Sequence, residues 1–362
     1  MMTMPSTGSL LILAGKSAFD HIRENGLEPD DIRAVLGASG AAKWLAIYGL
    51  DKLIFSGWFK GRQRPLHLFG TSIGAWKFAA AAQEKSSHAF DSLKDAYIHQ
   101  VYDDRITPSK ISRETKRIIT LFLPDNRIEQ ILSHPVLRIA FSAVRCKSIL
   151  ASRLKLFQAA GMWSAFELNL LSRKLQRYYY ERALFHDPRY DLDLMALDDF
   201  PTFTIPLDRD NFLKSLLASA SIPMIMEGVS GIKGAPRGTY RDGGLLDYHP
   251  AFPLADTQNG FILYPHFYPE LTLGWFDKKF PPRRADTAIL DRMILLSPSP
   301  EFIRRLPNRR IPDRHDFIRL KGRDRERIRD WTCAAQMSLV LGEEFLAAVE
   351  TGGIAERVRL IG

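Results

Sequence analysis

Two strand-to-helix turns built from small residues stand near the start of this chain, and they restrict its architecture more than any other feature. Ile32-Arg33-Ala34-Val35-Leu36 is an apolar strand pattern that ends at Gly37. Residues 41–55 then carry Ala41, Trp44, Leu45, Tyr48 and Ile54 near one helical face. Leu66-His67-Leu68-Phe69 repeats the strand pattern and closes at Gly70. Residues 73–83 follow with strong helix formers. Strand, helix, strand, helix at this spacing is a βαβ unit. Such a unit requires a parallel sheet with helices packed on it, so the expected fold class is α/β.

The rest of the chain extends this pattern less regularly. Leu10-Leu11-Ile12-Leu13-Ala14 reads as a buried strand. It is too short for a membrane helix, which needs about 20 residues, and it lacks the basic start and small-residue cleavage site of a signal peptide. Residues 86–195 hold charged helical stretches, a strand at 136–141 and an aromatic-basic run at 175–182. Strands are expected at 200–205 and 261–264, a helix at 211–221, and an amphipathic helix at 325–349. With no internal repeat and no low-complexity linker, one domain over 1–362 is expected. Its core spans 30–265, with a helical insertion at 86–195 and a basic C-terminal extension at 266–362.

Composition excludes several classes. Hydrophobic residues are 46% and charged residues 25% of the chain, as in globular proteins, so disorder, collagen and coiled coil do not apply. Cys146 and Cys333 are far apart. No disulfide scaffold or CxxC metal cluster follows, and a reducing, cytoplasmic compartment is expected. The formal net charge is +9, which favours anionic partners. Between Arg283 and Arg329, 14 basic residues stand against 7 acidic ones. That segment suggests peripheral contact with an anionic membrane surface. No helix-turn-helix, zinc or aromatic-basic motif argues for nucleic acid.

Gly70-Thr71-Ser72-Ile73-Gly74 is a G-x-S-x-G between an apolar strand and a helix. A sharp turn there presents the Ser72 hydroxyl at the sheet edge as a nucleophile, with the positive end of the new helix behind it. Gly37-Ala38-Ser39-Gly40 opens the preceding helix at Ala41 in the same way. Parallel strands place both turns on one sheet edge, where the N–H groups of residues 37–41 can form an oxyanion hole. A serine nucleophile needs a base, usually histidine. None of the nine histidines has a spacing that nominates it, although His249 and His266 follow strand or turn signals. Asp242, in Tyr240-Arg241-Asp242-Gly243-Gly244-Leu245-Leu246-Asp247, is the better lead, although Asp-Gly by itself signals only a hairpin.

Gly37-Ala38-Ser39-Gly40, Gly70-Thr71-Ser72-Ile73-Gly74 and Asp242-Gly243-Gly244 stand in the order seen in patatin-like phospholipases, and the chain resembles that family over residues 30–265. Leu217-Ala218-Ser219-Ala220-Ser221-Ile222-Pro223 and the stretch from Asp242 to Pro250 also resemble the family. The resemblance implies a three-layer α/β/α sandwich with a mostly parallel central sheet. It also implies a Ser72–Asp242 dyad, an oxyanion hole from Gly37, Ala38, Ser39, Gly40 and Ala41, and calcium-independent hydrolysis of ester lipids with no cofactor. The chain departs from the family where Ala38 and Ser39 interrupt the glycines of the loop, with Lys43 near the basic position. Tyr248 stands where asparagine is usual. Two rival readings remain: a Ser-His-Asp hydrolase using His249 or His266, and a catalytically weak homologue that binds lipid or a partner. Gly15-Lys16-Ser17 lacks the first glycine of a P-loop, having Leu10 there. Asp103-Asp104 and Asp198-Asp199 read as solvated turns.

Overall fold

The computed structural model describes residues 8–102, 106–152, 154–194, 196–255, 260–279 and 287–361. Asp103-Asp104, and Arg283, Arg284 and Asp286 of the basic segment, lie outside the described residues. The strands in chain order are β1 (Leu10–Ala14), β2 (Ile32–Gly37), β3 (Leu66–Thr71), β4 (Leu137–Cys146), β5 (Tyr180–His186), β6 (Thr202–Pro206), β7 (Thr239–Asp242), β8 (Phe261–Pro265), β9 (Met293–Pro298) and β10 (Val358–Leu360). They form one sheet in the order β10-β1-β9-β8-β2-β3-β4-β5-β6, with β7 added against β4. β9, β8, β2, β3 and β4 run parallel. β1 and β5 flank this block antiparallel. The sheet is mostly parallel and flanked by helices, as a three-layer α/β/α sandwich requires.

The central strands are apolar along their length because helices cover them. Every residue of β3, β8 and β9 is buried, the pattern of a parallel strand covered on both faces. β9 sits between β8 and β1. The stretch after residue 265 is therefore woven into the sheet. The basic segment within it is laced with pairs: Arg310 and Arg319 hold Asp316, Arg304 holds Glu301, and Arg323 holds Glu326. Arg327 is fully buried against the Ile98 and Gln100 carbonyls. Asp198 is exposed, but Asp199 is not a solvated turn: it bridges Arg173 and Arg182 at 2.9 and 2.8 Å. Ser17 bonds Asp291 through both its amide and its hydroxyl, so the Gly15-Lys16-Ser17 turn is closed by a side chain.

Two helices differ from their sequence patterns. Residues 41–55 do not form one α-helix. A 3-10 run, Ala41–Ile47, leads into Tyr48–Leu53 and then a π-turn, Ile54–Trp58. The tail helix is also broken, into Asp324–Met337 and Leu339–Glu350. The two segments meet at one contact, beside the break in the tail helix. Gly49 packs against the backbone of Leu339, where a Cβ would sit 2.4 Å from Leu339 Cα. The Ser338 hydroxyl at the break accepts the Gly49 N–H at 2.8 Å. By length and composition Asp324–Glu350 is apolar enough to span a membrane. In the fold, its Trp331, Ala335, Leu341 and Phe345 are buried in the core.

A buried ion pair ties this layer to the helix after β3. Lys77 donates to Asp51 at 2.8 Å, and the Trp44 indole donates to the other carboxylate oxygen at 3.0 Å. Both charges are shielded from water. Asp51→Ala strands the Lys77 ammonium in the core and is expected to destabilise the protein by about 3–5 kcal/mol. Urea unfolding at neutral pH measures this. An unchanged midpoint would mean that Lys77 carries no charge there.

Candidate active site

The site follows from the edge of β4. β3 pairs with β4 as far as Thr71 opposite Ser142. β7 takes the same edge from the next residue on, with Asp242 opposite Ala143. The two strands therefore abut end to end, and Ser72 and Asp242 meet where they do. β2 lies on the other side of β3, with Gly37 opposite Gly70. The three turns singled out in the sequence converge on one spot.

Ser72 is held at φ +54°, ψ −124° at the start of the helix Ile73–Ala81. That is a strained conformation for a residue with a side chain. Its amide donates to the Ser219 hydroxyl at 3.0 Å, and Ser219 donates to the Ser142 carbonyl at 2.7 Å. Glycines let the elbow close. A Cβ on Gly74 would sit 2.2 Å from the Gly37 carbonyl oxygen, and one on Gly70 would sit 2.5 Å from the Gly74 carbonyl carbon. No side chain fits at either position.

Ser72 Oγ donates to Asp242 Oδ2 at 2.9 Å. The other carboxylate oxygen accepts the Gly244 N–H at 2.7 Å and lies 3.5 Å from Ser39 Oγ. Both residues are almost wholly buried. Burial raises the Asp242 carboxyl to about 6, against the opposing pull of the bonds from Gly244 and Ser72. A carboxyl near that value is matched to proton transfer close to neutrality. Five residues on, Asp247 fixes the turn. It takes two bonds from buried Arg182, at 2.9 and 2.7 Å, and one from Ser142 at 3.0 Å.

The two histidines are placed differently. His249 Nδ1 accepts the Thr272 N–H at 2.8 Å, and His266 Nδ1 lies 2.6 Å from the Tyr268 carbonyl, to which the ring can donate. They pack against each other with ring centroids 4.2 Å apart. Burial holds His249 well below the usual imidazole range and His266 down to about 3. His249 borders the larger cavity, and neither ring hydrogen-bonds Ser72 or Asp242 among the described residues.

The 37–41 loop is brought to the same place with its donors unevenly available. Gly37 closes β2, and Ala38 is buried behind it. The Ser39 amide is already engaged by the Tyr248 carbonyl at 2.8 Å, and its hydroxyl lies 3.1 Å from Thr71 Oγ1. That leaves the amides of Gly40 and Ala41, which border the cavity and have no hydrogen bond among the described residues. Ala41 sits at φ +52°, which turns this part of the loop. Tyr248, at the departure from asparagine, lends its carbonyl to Ser39 and its ring to Lys278, whose Nζ lies 3.5 Å from the centroid.

Two cavities meet at Ser72. The larger, about 750 Å³, is walled by Met162, Trp163, Phe166 and Phe276, with Lys43, Lys278 and Arg314 at its polar side. The smaller, about 310 Å³, is lined by Trp76, Ile111, Ile118, Met226 and Phe317. Lys43 pairs with Asp313, and that pairing outweighs burial to hold the carboxyl well below its usual range. Burial, then the charges of Lys43 and Arg314, pulls the Lys278 ammonium down from the usual lysine range.

Ser219, Arg182, Lys278 and Arg314 were not read as site residues in the sequence. Ser219 stands in the small-residue run before Pro223, which marked the segment without naming the serine. Arg182 and Asp247 become partners only through the sheet, so no local signal could have linked them.

No family model matches the chain, and no curated protein matches it in sequence. Among solved structures, VipD from Legionella pneumophila is similar at 12% identity and a TM-score of 0.31, over 78% of this chain. The chain spans about half the length of that structure, 56%. A likeness this slight carries no argument about the site.

Proposed function

We propose that this chain is an acyl hydrolase of ester lipids, acting through Ser72 and Asp242. One observation carries the reading: the 2.9 Å bond from Ser72 Oγ to a buried carboxylate, at the junction of two largely apolar cavities. A hydroxyl hydrogen-bonded to a base, on a strained turn at the sheet edge, is the arrangement of an activated serine. The apolar cavities suit an acyl chain, since ligand sites bury apolar surface around a few placed polar groups.

The steps balance without a further reactant except water. Ser72 Oγ attacks the ester carbonyl carbon while its proton passes to Asp242 Oδ2. The carbonyl oxygen takes the negative charge facing the Gly40 and Ala41 amides, whose donation lowers the barrier. The alcohol leaves with the proton from Asp242. Water then attacks the acyl-serine while Asp242 takes its proton; as the bond to Ser72 Oγ breaks, Asp242 passes that proton to the serine oxygen, and the free acid departs with Ser72 and Asp242 restored.

The pH dependence tests this. Asp242 must be ionised to accept the proton, and its carboxyl sits at about 6. On a soluble acyl ester, kcat/KM is expected to be low at pH 5, to rise about tenfold per unit below pH 6 and to level off above it. A profile flat from pH 4.5 to 8 would sink the role given to Asp242.

A further inference from the structure

The helix Lys155–Leu171 packs Ala165, Met162 and Phe166 inward and yet carries large apolar residues on its outward face too. Its inward residues include Gln158 and Asn169, both buried. Gln158 donates to the Ser152 carbonyl and Asn169 to Asp277, each at 2.8 Å. Its outward residues at positions 156, 160, 163, 167 and 171 follow the helical repeat and are apolar except Glu167. Leu156 is 79% exposed, Trp163 64% and Leu171 77%, with Leu154 at 62% just before the helix. Glu167 accepts the Trp163 indole N–H at 2.7 Å. A soluble helix normally shows a polar outward face, and an apolar strip of this kind marks a contact surface.

Two further observations identify the occupant. The same helix forms a wall of the larger cavity through Ala159, Met162 and Trp163, so the strip runs beside the way to Ser72. Exposed cations also bracket it: Lys155 at its start, with Lys174 and Arg177 just past its end. None of the three has a carboxylate partner among the described residues. Outward leucines and a tryptophan between basic ends are the composition of a helix that lies in a bilayer interface, where each cation also gains from anionic lipid.

We propose that Lys155–Leu171 is a membrane-docking helix, which seats its Leu156–Trp163–Leu171 face in the headgroup region of an anionic bilayer and sets the larger cavity against the lipid. This places the membrane contact on the helix between β4 and β5, two strands of the sheet, and not on the ion-paired basic segment near the C-terminus. Docking is separate from the chemistry, so Ser72→Ala is expected to bind vesicles as the wild type does.

The test is sedimentation of the full chain with vesicles of equimolar phosphatidylcholine and phosphatidylglycerol, and with phosphatidylcholine alone. The wild type is expected to bind the anionic vesicles more tightly. The double variant Leu156→Ser, Leu171→Ser is expected to lose about tenfold or more in partition coefficient, because two leucines no longer leave water. Both positions are exposed and outside the cavity, so hydrolysis of a soluble ester and the thermal melt are expected to stay unchanged. Lys155→Glu with Lys174→Glu is expected to remove the preference for anionic vesicles. Wild-type binding that the leucine variant leaves intact overturns the proposal. So does an absence of vesicle binding, including the case where light scattering shows a second copy of the chain covering the strip. A wild type that binds anionic vesicles through the leucine face but hydrolyses no ester would count against the catalytic reading alone.

Discussion

Ser72→Ala is expected to abolish ester hydrolysis, by a factor on the order of 10⁴–10⁶ in kcat, and to abolish labelling by a fluorophosphonate. The size follows from the proposed chemistry, in which Ser72 Oγ, on the strained turn and bonded to Asp242 Oδ2 at 2.9 Å, forms the acyl intermediate. Asp242 is too buried and too closely bonded to replace it, with Gly244 and Ser39 at one oxygen and Ser72 at the other. Alanine removes one hydroxyl at a position whose backbone is already at φ +54°, so the fold should survive. Labelling should occur at Ser72 alone in the wild type. Persistent labelling or turnover in the folded variant would falsify the assignment of the nucleophile.

Asp242→Asn should separate the two catalytic schemes. It keeps the shape of the side chain and removes the base, so kcat/KM is expected to fall by about 10²–10⁴. His249→Gln and His266→Gln should cost far less, since burial holds both rings below the usual imidazole range and neither bonds Ser72 or Asp242 among the described residues. The same variant carries a second, opposite effect. A carboxyl whose folded value is raised binds more protons in the folded than in the unfolded state. Its ionisation therefore weakens the fold as pH rises from about 4 to about 6. A rise from 3.8 to about 6 corresponds to roughly 3 kcal/mol lost above that window. Asp242→Asn removes this penalty, so at pH 8 it should melt no lower than the wild type while being far less active. A histidine variant as inactive as Asp242→Asn, and still folded, would transfer the base to that histidine. An Asp242→Asn protein with a much lower Tm would show that the carboxylate is structural.

The parts of the site that could be read in the sequence are those made by adjacent residues. The run from Leu66 to Ile73 states a strand, a glycine turn and a helix start in eight consecutive residues, and the structure has β3, the elbow and the helix there. The Gly37–Gly40 turn is legible for the same reason. The strands at Leu10–Ala14, Thr202–Pro206 and Phe261–Pro265 were also visible as short apolar runs. β9 and β10 were not, because the basic residues around them dominate that part of the sequence. The break in the tail helix was missed because it lies where Gly49 meets Leu339, residues far apart in the chain.

Among the five residues expected to donate at the oxyanion, the sequence treats residues 37 to 41 alike. In the fold the Ser39 amide is taken by Tyr248. Which amides remain free is decided by a segment that arrives two hundred residues later. The helix Lys155–Leu171, apolar on its outward face as well as its inward one, is a similar case. Its leucines and tryptophan form a pattern that suits a buried helix equally well, and only its packing shows which face was left outside.

By itself the sequence determined the βαβ order, the small-residue turns and the identity of a serine elbow, because backbone propensity and glycine sterics act over a few residues. The family resemblance implied the Ser72–Asp242 pair; only the tertiary structure shows the bond between them, shows that neither His249 nor His266 hydrogen-bonds either residue among the described residues, and shows that residues after 265 complete the sheet. The physical reason is register. β3 and β7 share one edge of β4 and abut between Ser142 and Ala143. That alignment is fixed by burial and hydrogen bonding summed over the whole sheet, which no local stretch of sequence encodes.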